Sequence, residues 1–331
     1  MEVAVKIRAR PAQQRFVIDD SSKIGEARRA AQTLANYEFD EETAGKVAIA
    51  ASELATNLHR HAAAGEILLQ ILGSAESAVI ELLAIDRGPG MSDVSRCLSD
   101  GFSTRGTTGT GLGAVRRLAT DFDIHSVPGE GTTVMARFGR GSGGVRYGVV
   151  NLALEGEIDC GDGWSILENS EGVSVFLIDG LGHGTFAAEA AQAGIGAFAA
   201  NPFIAPNEIL AHANAAMSRT RGGAGACARI VGDKVSYAGV GNISGALVGD
   251  GKSQGLVSNN GTLGSNKRTN QQFEYRRTPG AVLAMHSDGI SARWDLKSRG
   301  DLLARHPAIV AATIYRDHAR GRDDATVVVV A

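Results

Sequence analysis

Cysteine is scarce: three residues in 331, at positions 97, 160 and 227. An odd, small and widely spaced set excludes a disulfide framework and a cysteine-based zinc site, and fits reduced thiols. Excess charge of either sign is also missing, since 33 Lys and Arg face 36 Asp and Glu for a net charge of -3. That near-balance holds in each half of the chain and gives no electrostatic reason to expect nucleic acid or an anionic membrane as partner. No stretch approaches 18 consecutive apolar residues, and the opening MEVAVKIRARPAQQ has no apolar run behind its charges. Neither a membrane span nor a signal peptide is therefore expected, and the chain reads as cytoplasmic. What remains is ordinary globular composition, 44% apolar and 21% charged, over a length that predicts two domains.

Taken in order, Val3 to Ile7 and Gln14 to Ile18 alternate loosely as short strands. Ser21 or Ser22 is placed to cap a helix running to Ala35, and Asp40 to cap a second with Val47, Ala51, Leu54 and Leu58 as its apolar stripe. Glu53, Asn57 and His61 follow one another at four-residue spacing beside that stripe, so their side chains share one border of the buried face. Two apolar strands come next, Ile67 to Leu72 and Ala78 to Ile85, the second stopped by Asp86-Arg87-Gly88-Pro89-Gly90.

Gly101 to Phe138 opens as a Gly-, Ser- and Thr-rich loop, enters a helix at Gly109-Thr110-Gly111-Leu112-Gly113, and ends in two strands. Backbone N-H groups and a helix dipole converge at such a junction and favour phosphate. Gly139 to Gly144, GRGSGG, reads as a linker. Beyond it, strands at Val145 to Leu154 and Val173 to Ile178 surround GEIDCGDGW, and helical stretches run from Thr185 to Ala200, Pro206 to Thr220 and Pro307 to Ala319.

Each first-half motif has a bland alternative: a Glu/Asn pair is usually a solvated helix face, and DRGPG alone a turn. GTGLGA lacks the preceding strand of a dinucleotide fingerprint, Gly251-Lys252-Ser253 lacks the first glycine of a Walker loop and reads as a hairpin turn, and His59 and His61 lack a third metal partner. In order and together, however, SELATN, DRGPG, GTGLG and GEGTT over residues 52–133 resemble the N-box and glycine boxes of the GHKL, or Bergerat-fold, ATPases. Within that family they look most like the RsbT serine kinases, relatives of the anti-sigma-factor kinases RsbW and SpoIIAB.

The resemblance covers residues 1–138 and implies an α/β sandwich binding Mg²⁺-ATP. It assigns Asp86 to the adenine amine, Gly88 and Gly90 to close approach of the base, and Asn57 to Mg²⁺. Thr104, Gly109, Thr110, Gly111, Leu112 and Gly113 become the lid and phosphate cradle, Thr132 part of the closing box, and Glu53 the residue that takes or orients the proton of an incoming hydroxyl.

The second half scatters aspartates through Gly161-Asp162-Gly163, Asp179-Gly180-Leu181-Gly182-His183-Gly184, Ser287-Asp288-Gly289 and Asp323-Asp324-Ala325-Thr326. One Asp-Gly is usually a β-turn. Four such sites at the ends of apolar strands can converge, and carboxylates without His or Cys companions suit Mg²⁺ or Mn²⁺. The ordered set resembles the PPM-type serine/threonine phosphatases of the SpoIIE, RsbU and RsbX branch over residues 145–331. That likeness implies an α-β-β-α sandwich holding two metal ions through Asp162, Asp179, the Gly180 carbonyl, Asp288 and Asp323, with Asp162 and Asp179 central to catalysis and Asp324 the weaker assignment. His183 is read either as an acid or phosphate-side contact or as turn packing.

A kinase at 1–138 joined through 139–144 to a phosphatase at 145–331 implies a two-domain α/β switch that writes and erases phosphate on STAS-domain proteins of the RsbS, RsbR or anti-anti-sigma kind. An activator phosphatase or a sigma factor is a further partner of that setting, and a homodimer is compatible with it. The alternative from another class is an ATP-binding module that sequesters partners without phosphorylating them, fused to an active phosphatase.

Overall fold

Short side chains determine how closely the first sheet and its helices approach. The computed structural model describes residues 12–62, 65–73, 77–98, 111–139, 144–265 and 271–331, which divide into two units, Met1–Gly143 and Gly144–Ala331. The expected strand from Val3 to Ile7 and most of the GRGSGG stretch lie outside the described residues.

The first unit runs β1 (Gln14–Val17), α1 (Ser21–Ala35), α2 (Glu41–His61), β2 (Gly65–Leu72), β3 (Val79–Asp86), α3 (Val94–Cys97), α4 (Gly111–Leu118), β4 (Asp121–Val127) and β5 (Gly131–Gly139). Its sheet has the order β1-β2-β3-β5-β4, antiparallel throughout. The cap of α1 is Asp20, which accepts from Ser22 N, rather than Ser21 or Ser22; the carboxylate one residue earlier reaches the same orphan N-H groups and the serines fall inside the helix. Asp40 caps α2 by accepting from Thr43 N at 2.8 Å, with Glu41 and Glu42 in the first turn and His59, Arg60 and His61 in the last, matching the helix dipole.

Ala44, Ala48, Ala51 and Ala55 alternate with Val47, Leu54 and Leu58 on the buried side of α2, and these pack on Ile67, Leu69, Ile80, Leu82, Val134 and Ala136 of the sheet. Alternate residues of the strands face the other way. There Gln70, Glu81 and Arg137 pair in register across β2, β3 and β5. Glu81 is fully buried; it accepts from Gln70 Nε2 at 2.8 Å and from Arg137 Nε at 2.7 Å. Removing the cation strands a buried carboxylate, so Arg137→Ala is expected to destabilise the first unit by about 3–5 kcal/mol in a urea titration. A loss under about 1 kcal/mol would mean that water reaches Glu81.

The second unit contains β6 (Tyr147–Leu152), β7 (Asp162–Asn169), β8 (Gly172–Gly180), α5 (Thr185–Ala200), α6 (Pro206–Ala216), β9 (Gly223–Val231), β10 (Lys234–Val240), β11 (Ser244–Gly249), β12 (Lys252–Leu256), β13 (Phe273–Arg276), β14 (Val282–His286), α7 (Gly300–Leu303), α8 (Pro307–His318) and β15 (Ala325–Val330). Two five-stranded sheets form, β13-β10-β9-β8-β7 and β12-β11-β14-β15-β6. Val175, Leu177, Ala226 and Tyr237 of one meet Val149, Leu247, Leu283 and Val328 of the other. Outside the first sheet α5 and α6 pack through Ala190, Ala191, Phe198, Ile209 and Leu210 onto Phe176 and Ile178, while α8 covers β6 and β15. The layers are α-β-β-α.

Strand β7 begins at Asp162, inside the GEIDCGDGW segment. The helix expected to reach Thr220 stops at Ala216. Gly251-Lys252-Ser253 sits at the turn of the β11-β12 hairpin, as its sequence predicts. Among the described residues no helix is long and apolar enough to cross a membrane.

Candidate functional site

In the first unit β3 and α4 both pack on α2, and the start of α4 lies against Glu53 and Asn57. Four-residue spacing puts Glu53 and Asn57 on one side of α2, both half-buried, while His61 is exposed in its last turn with His59. α4 begins against them: a Cβ at Gly111 would lie 2.9 Å from Glu53 Oε2 and 3.6 Å from both amide atoms of Asn57. A side chain there would press on the carboxylate. Asn57 Nδ2 is buried without a hydrogen-bond partner among the described residues. A buried amide left unpaired is costly, and here it borders a helix N-terminus, an arrangement that fits an oxygen-rich ligand such as a metal-phosphate group.

Asp86 joins two of the glycine boxes. Its Oδ1 accepts from Gly88 N at 2.7 Å and from Thr132 N at 3.2 Å. Thr132 Oγ1 lies 2.8 Å from Ser126 Oγ, which accepts from Met91 N at 2.8 Å. Gly131 has φ +97, and a Cβ on it would sit 2.1 Å from the Asp86 carbonyl oxygen; only glycine fits both the backbone and the space. Gly90, at φ +67, is pressed likewise against the Val127 carbonyl, and Gly88 against Ala62. These glycines therefore let chain approach chain around Asp86, a role that the sequence did not reveal. Leu112 packs half-buried on the core and Gly113 is buried. Thr104, Gly109 and Thr110 lie outside the described residues.

In the second unit, antiparallel register sets Asp162 of β7 opposite Asp179 of β8. Asp162 is buried and accepts from Ser287 Oγ at 2.6 Å. That hydroxyl also accepts from Thr326 N at 3.0 Å, stitching the two sheets together. Asp288 and Asp323 stand at the ends of the second sheet's strands. Asp288 Oδ2 accepts from Asn242 Nδ2 at 2.6 Å and Asp323 Oδ1 from Asp324 N at 2.9 Å.

Asp324 has a different position from its neighbour: buried, it accepts from Leu154 N at 2.7 Å and Gly161 N at 2.9 Å, holding the loop that leads to Asp162. Gly180 is packed so tightly that a Cβ would meet the Ala187 carbonyl at 2.1 Å. His183 Nδ1 is 2.6 Å from Glu157 Oε1 and Thr185 Oγ1 donates to Asp159 Oδ2 at 2.8 Å, so His183 helps tie segment 157–159 to the loop before α5.

The electrostatics follow from this crowding. Burial pushes the Asp179 carboxyl up to about 9, with Asp162, Asp288, Asp323 and Asp324 adding repulsion. Burial likewise pushes Asp162 up to about 7, against the hydrogen bonds of Ser287 and Thr326. Asp324 is raised by burial and lowered by its backbone donors. Among the described residues no three Asp, Glu, His or Cys side chains are drawn up around one point as a ready-made cage; the carboxylates face each other at electrostatic range. An all-oxygen donor set whose members repel one another fits hard divalent cations.

Comparison with known proteins adds two family matches. Residues 19–138 match the histidine kinase-like ATPase domain family, and residues 169–331 match the stage II sporulation protein E (SpoIIE) family. Over 91 residues, 28% of this chain and 68% of the relative, the sequence is 38% identical to the serine/threonine-protein kinase RsbT of Bacillus subtilis (strain 168). Among solved structures, a chain of the bacterial stressosome, a modular system adapted to control secondary messenger signalling, is similar with TM-score 0.53 and 24% identity over 57% of this chain and 100% of that one. RsbX in complex with magnesium is similar with TM-score 0.51 and 21% identity, over 57% and 97% of the two chains. At these identities the two structures show a shared fold.

Proposed function

We propose, for a chain that belongs to the histidine kinase-like ATPase family through its first unit and carries a SpoIIE phosphatase domain in its second, that it both phosphorylates and dephosphorylates serine or threonine on partner proteins. The observation that carries the reading is the coexistence in one chain of an unpaired Asn57 amide beside Glu53 at a helix N-terminus and a set of mutually repelling aspartates around Asp179. STAS-domain proteins, of the RsbS, RsbR or anti-anti-sigma kind, are the partners in this reading. The kinship of the first unit to RsbT supports it.

In the first unit Asn57 would hold Mg²⁺ against the phosphates of ATP, and Asp86 would receive the adenine amine. The N-terminus of α4 offers N-H groups to phosphate, and Glu53, beside it, accepts or orients the hydroxyl proton of the incoming serine. In-line transfer then needs little from the protein besides positioning and charge.

In the second unit Asp162, Asp179, the Gly180 carbonyl, Asp288 and Asp323 would hold two Mg²⁺ or Mn²⁺ ions, which supply an activated water and neutralise phosphoryl charge. Ser287 keeps the Asp162 carboxylate oriented, and Asp324 holds the 154–161 loop so that Asp162 enters its strand in register with Asp179. A phosphoserine adds nearly two negative charges, enough to disrupt a desolvated interface, so adding and removing it would exchange partners.

The cycle is tested by incubating the protein and a candidate STAS protein with Mg-ATP, then removing ATP and adding Mn²⁺. A phosphate-dependent gel shift should appear and then reverse. A shift that never appears refutes the kinase half, and one that never reverses refutes the phosphatase half.

A further inference from the structure

Just ahead of the strand next to Asp179 a cation is held in place without an anionic partner among the described residues. Arg221 precedes β9, the strand that pairs with β8 so that Gly223 faces Gly180 and Ala224 faces Asp179. Leu181 N donates to the Gly222 carbonyl at 2.9 Å, fastening the 221–222 segment along the loop that follows Asp179. The guanidinium rests over the Phe186 ring, 4.8 Å from its centre. It also fills the space left by Gly182, where a Cβ would come 3.2 Å from Arg221 Nη1. Arg221 is exposed, and among the described residues its partner is the ring. An exposed arginine in a loop ordinarily pairs with a nearby carboxylate or sweeps through solvent. This one stacks on a ring, and its donors have no partner among the described residues.

The surroundings are those of a protein-docking rim. Phe186 and Leu181 are 60% and 58% exposed, and Ile158 is 90% exposed. Ile158 is held beside them because its neighbours Glu157 and Asp159 bond to His183 and Thr185. Three apolar side chains exposed on the 157–159 and 181–186 segments, one of them under the arginine, make a surface that free phosphate does not need and that a polypeptide would cover.

We propose that Arg221 is the residue that receives the phosphate of a phosphorylated serine or threonine presented by a partner protein, with Ile158, Leu181 and Phe186 contacting the residues on either side. This rests on the phosphatase reading of the second unit. The guanidinium fork matches phosphate oxygens in a bidentate manner, and stacking on the ring reduces the freedom lost on binding. Its place at the rim makes it a positioning residue: it draws the dianionic ester toward the aspartates without touching the bond that breaks.

The test compares wild type, Arg221→Ala and Arg221→Lys on a serine-phosphorylated peptide and on p-nitrophenyl phosphate, both with Mn²⁺. Arg221→Ala should raise KM for the peptide by about 10- to 100-fold, the worth of a charge-assisted hydrogen bond, with kcat and melting temperature near wild type. Arg221→Lys should recover part of that, since it keeps the charge but loses the fork. The small aryl ester presents the same phosphate to the guanidinium, so Arg221→Ala should raise its KM in the same direction, while its wild-type KM should lie above that of the peptide because it cannot cover the apolar rim. Unchanged peptide KM, or a fall in kcat at constant KM, overturns the inference while leaving the phosphatase reading intact. A wild-type protein that releases phosphate from neither compound overturns both.

Discussion

Asp179→Asn is expected to do two opposite things: lower metal-dependent phosphate release by on the order of 10²–10³-fold or more, and make the metal-free protein more stable. The first effect follows from removing the carboxylate that stands in register with Asp162 and faces three further aspartates; an amide keeps the shape and loses the charge that would hold a divalent ion. The second follows from the same crowding. Burial and repulsion push Asp179 up to about 9 and burial pushes Asp162 up to about 7, against about 3.9 for an aspartate in an unfolded chain.

The folded chain therefore binds more protons than the unfolded one between these values, and its stability falls as pH rises from about 4 through 7 and on toward 9. In a chelator, wild type should melt at a lower temperature at pH 8.5 than at pH 5.5, and Asp179→Asn should flatten that slope and raise the melting point at pH 8.5 by about 2–8 °C. Mn²⁺ should close the gap by stabilising wild type and not the variant. A variant that melts lower than wild type at pH 8.5 would show that the Asp179 carboxylate is not strained by its neighbours.

Asn57→Ala should abolish ATP-dependent phosphorylation of the partner, with a loss on the order of 10²-fold or more, and should weaken Mg-ATP binding as well. The amide nitrogen is buried without a partner among the described residues, an unfavourable donor that a phosphate oxygen of the bound nucleotide would satisfy. Alanine removes that liability, and the variant should fold at least as stably as wild type. Glu53→Gln separates the roles: transfer should fall by a comparable factor while Mg-ATP binding stays close to wild type, because the hydroxyl proton and not the nucleotide depends on that carboxylate. Gly111→Val offers a steric check, since its Cβ would sit 2.9 Å from Glu53 Oε2. Asn57→Ala binding Mg-ATP as tightly as wild type would remove Asn57 from the site.

Several parts of this protein are determined by sequence alone. Helical periodicity puts Glu53 and Asn57 on the same side of α2 wherever that helix packs, and Asp40 caps it because a carboxylate at that position meets unsatisfied N-H groups. DRGPG must end β3 because neither strand nor helix can continue through it. The run of four valines at 327–330 has to be an inner strand.

Only tertiary structure decided the rest, because it depends on pairs distant in the chain. Register across β7 and β8 sets Asp162 against Asp179. Of the adjacent aspartates 323 and 324, the second turns inward to two backbone donors 170 and 163 residues away, a distinction that local composition does not encode. Gly88, Gly90 and Gly131 serve contacts with chain segments that the sequence places elsewhere. Arg221 has no motif around it; its place beside Asp179 comes from the pairing of β9 with β8 and from a ring 35 residues earlier. Local propensity specifies which way a side chain faces along its own element, whereas the fold specifies what it faces.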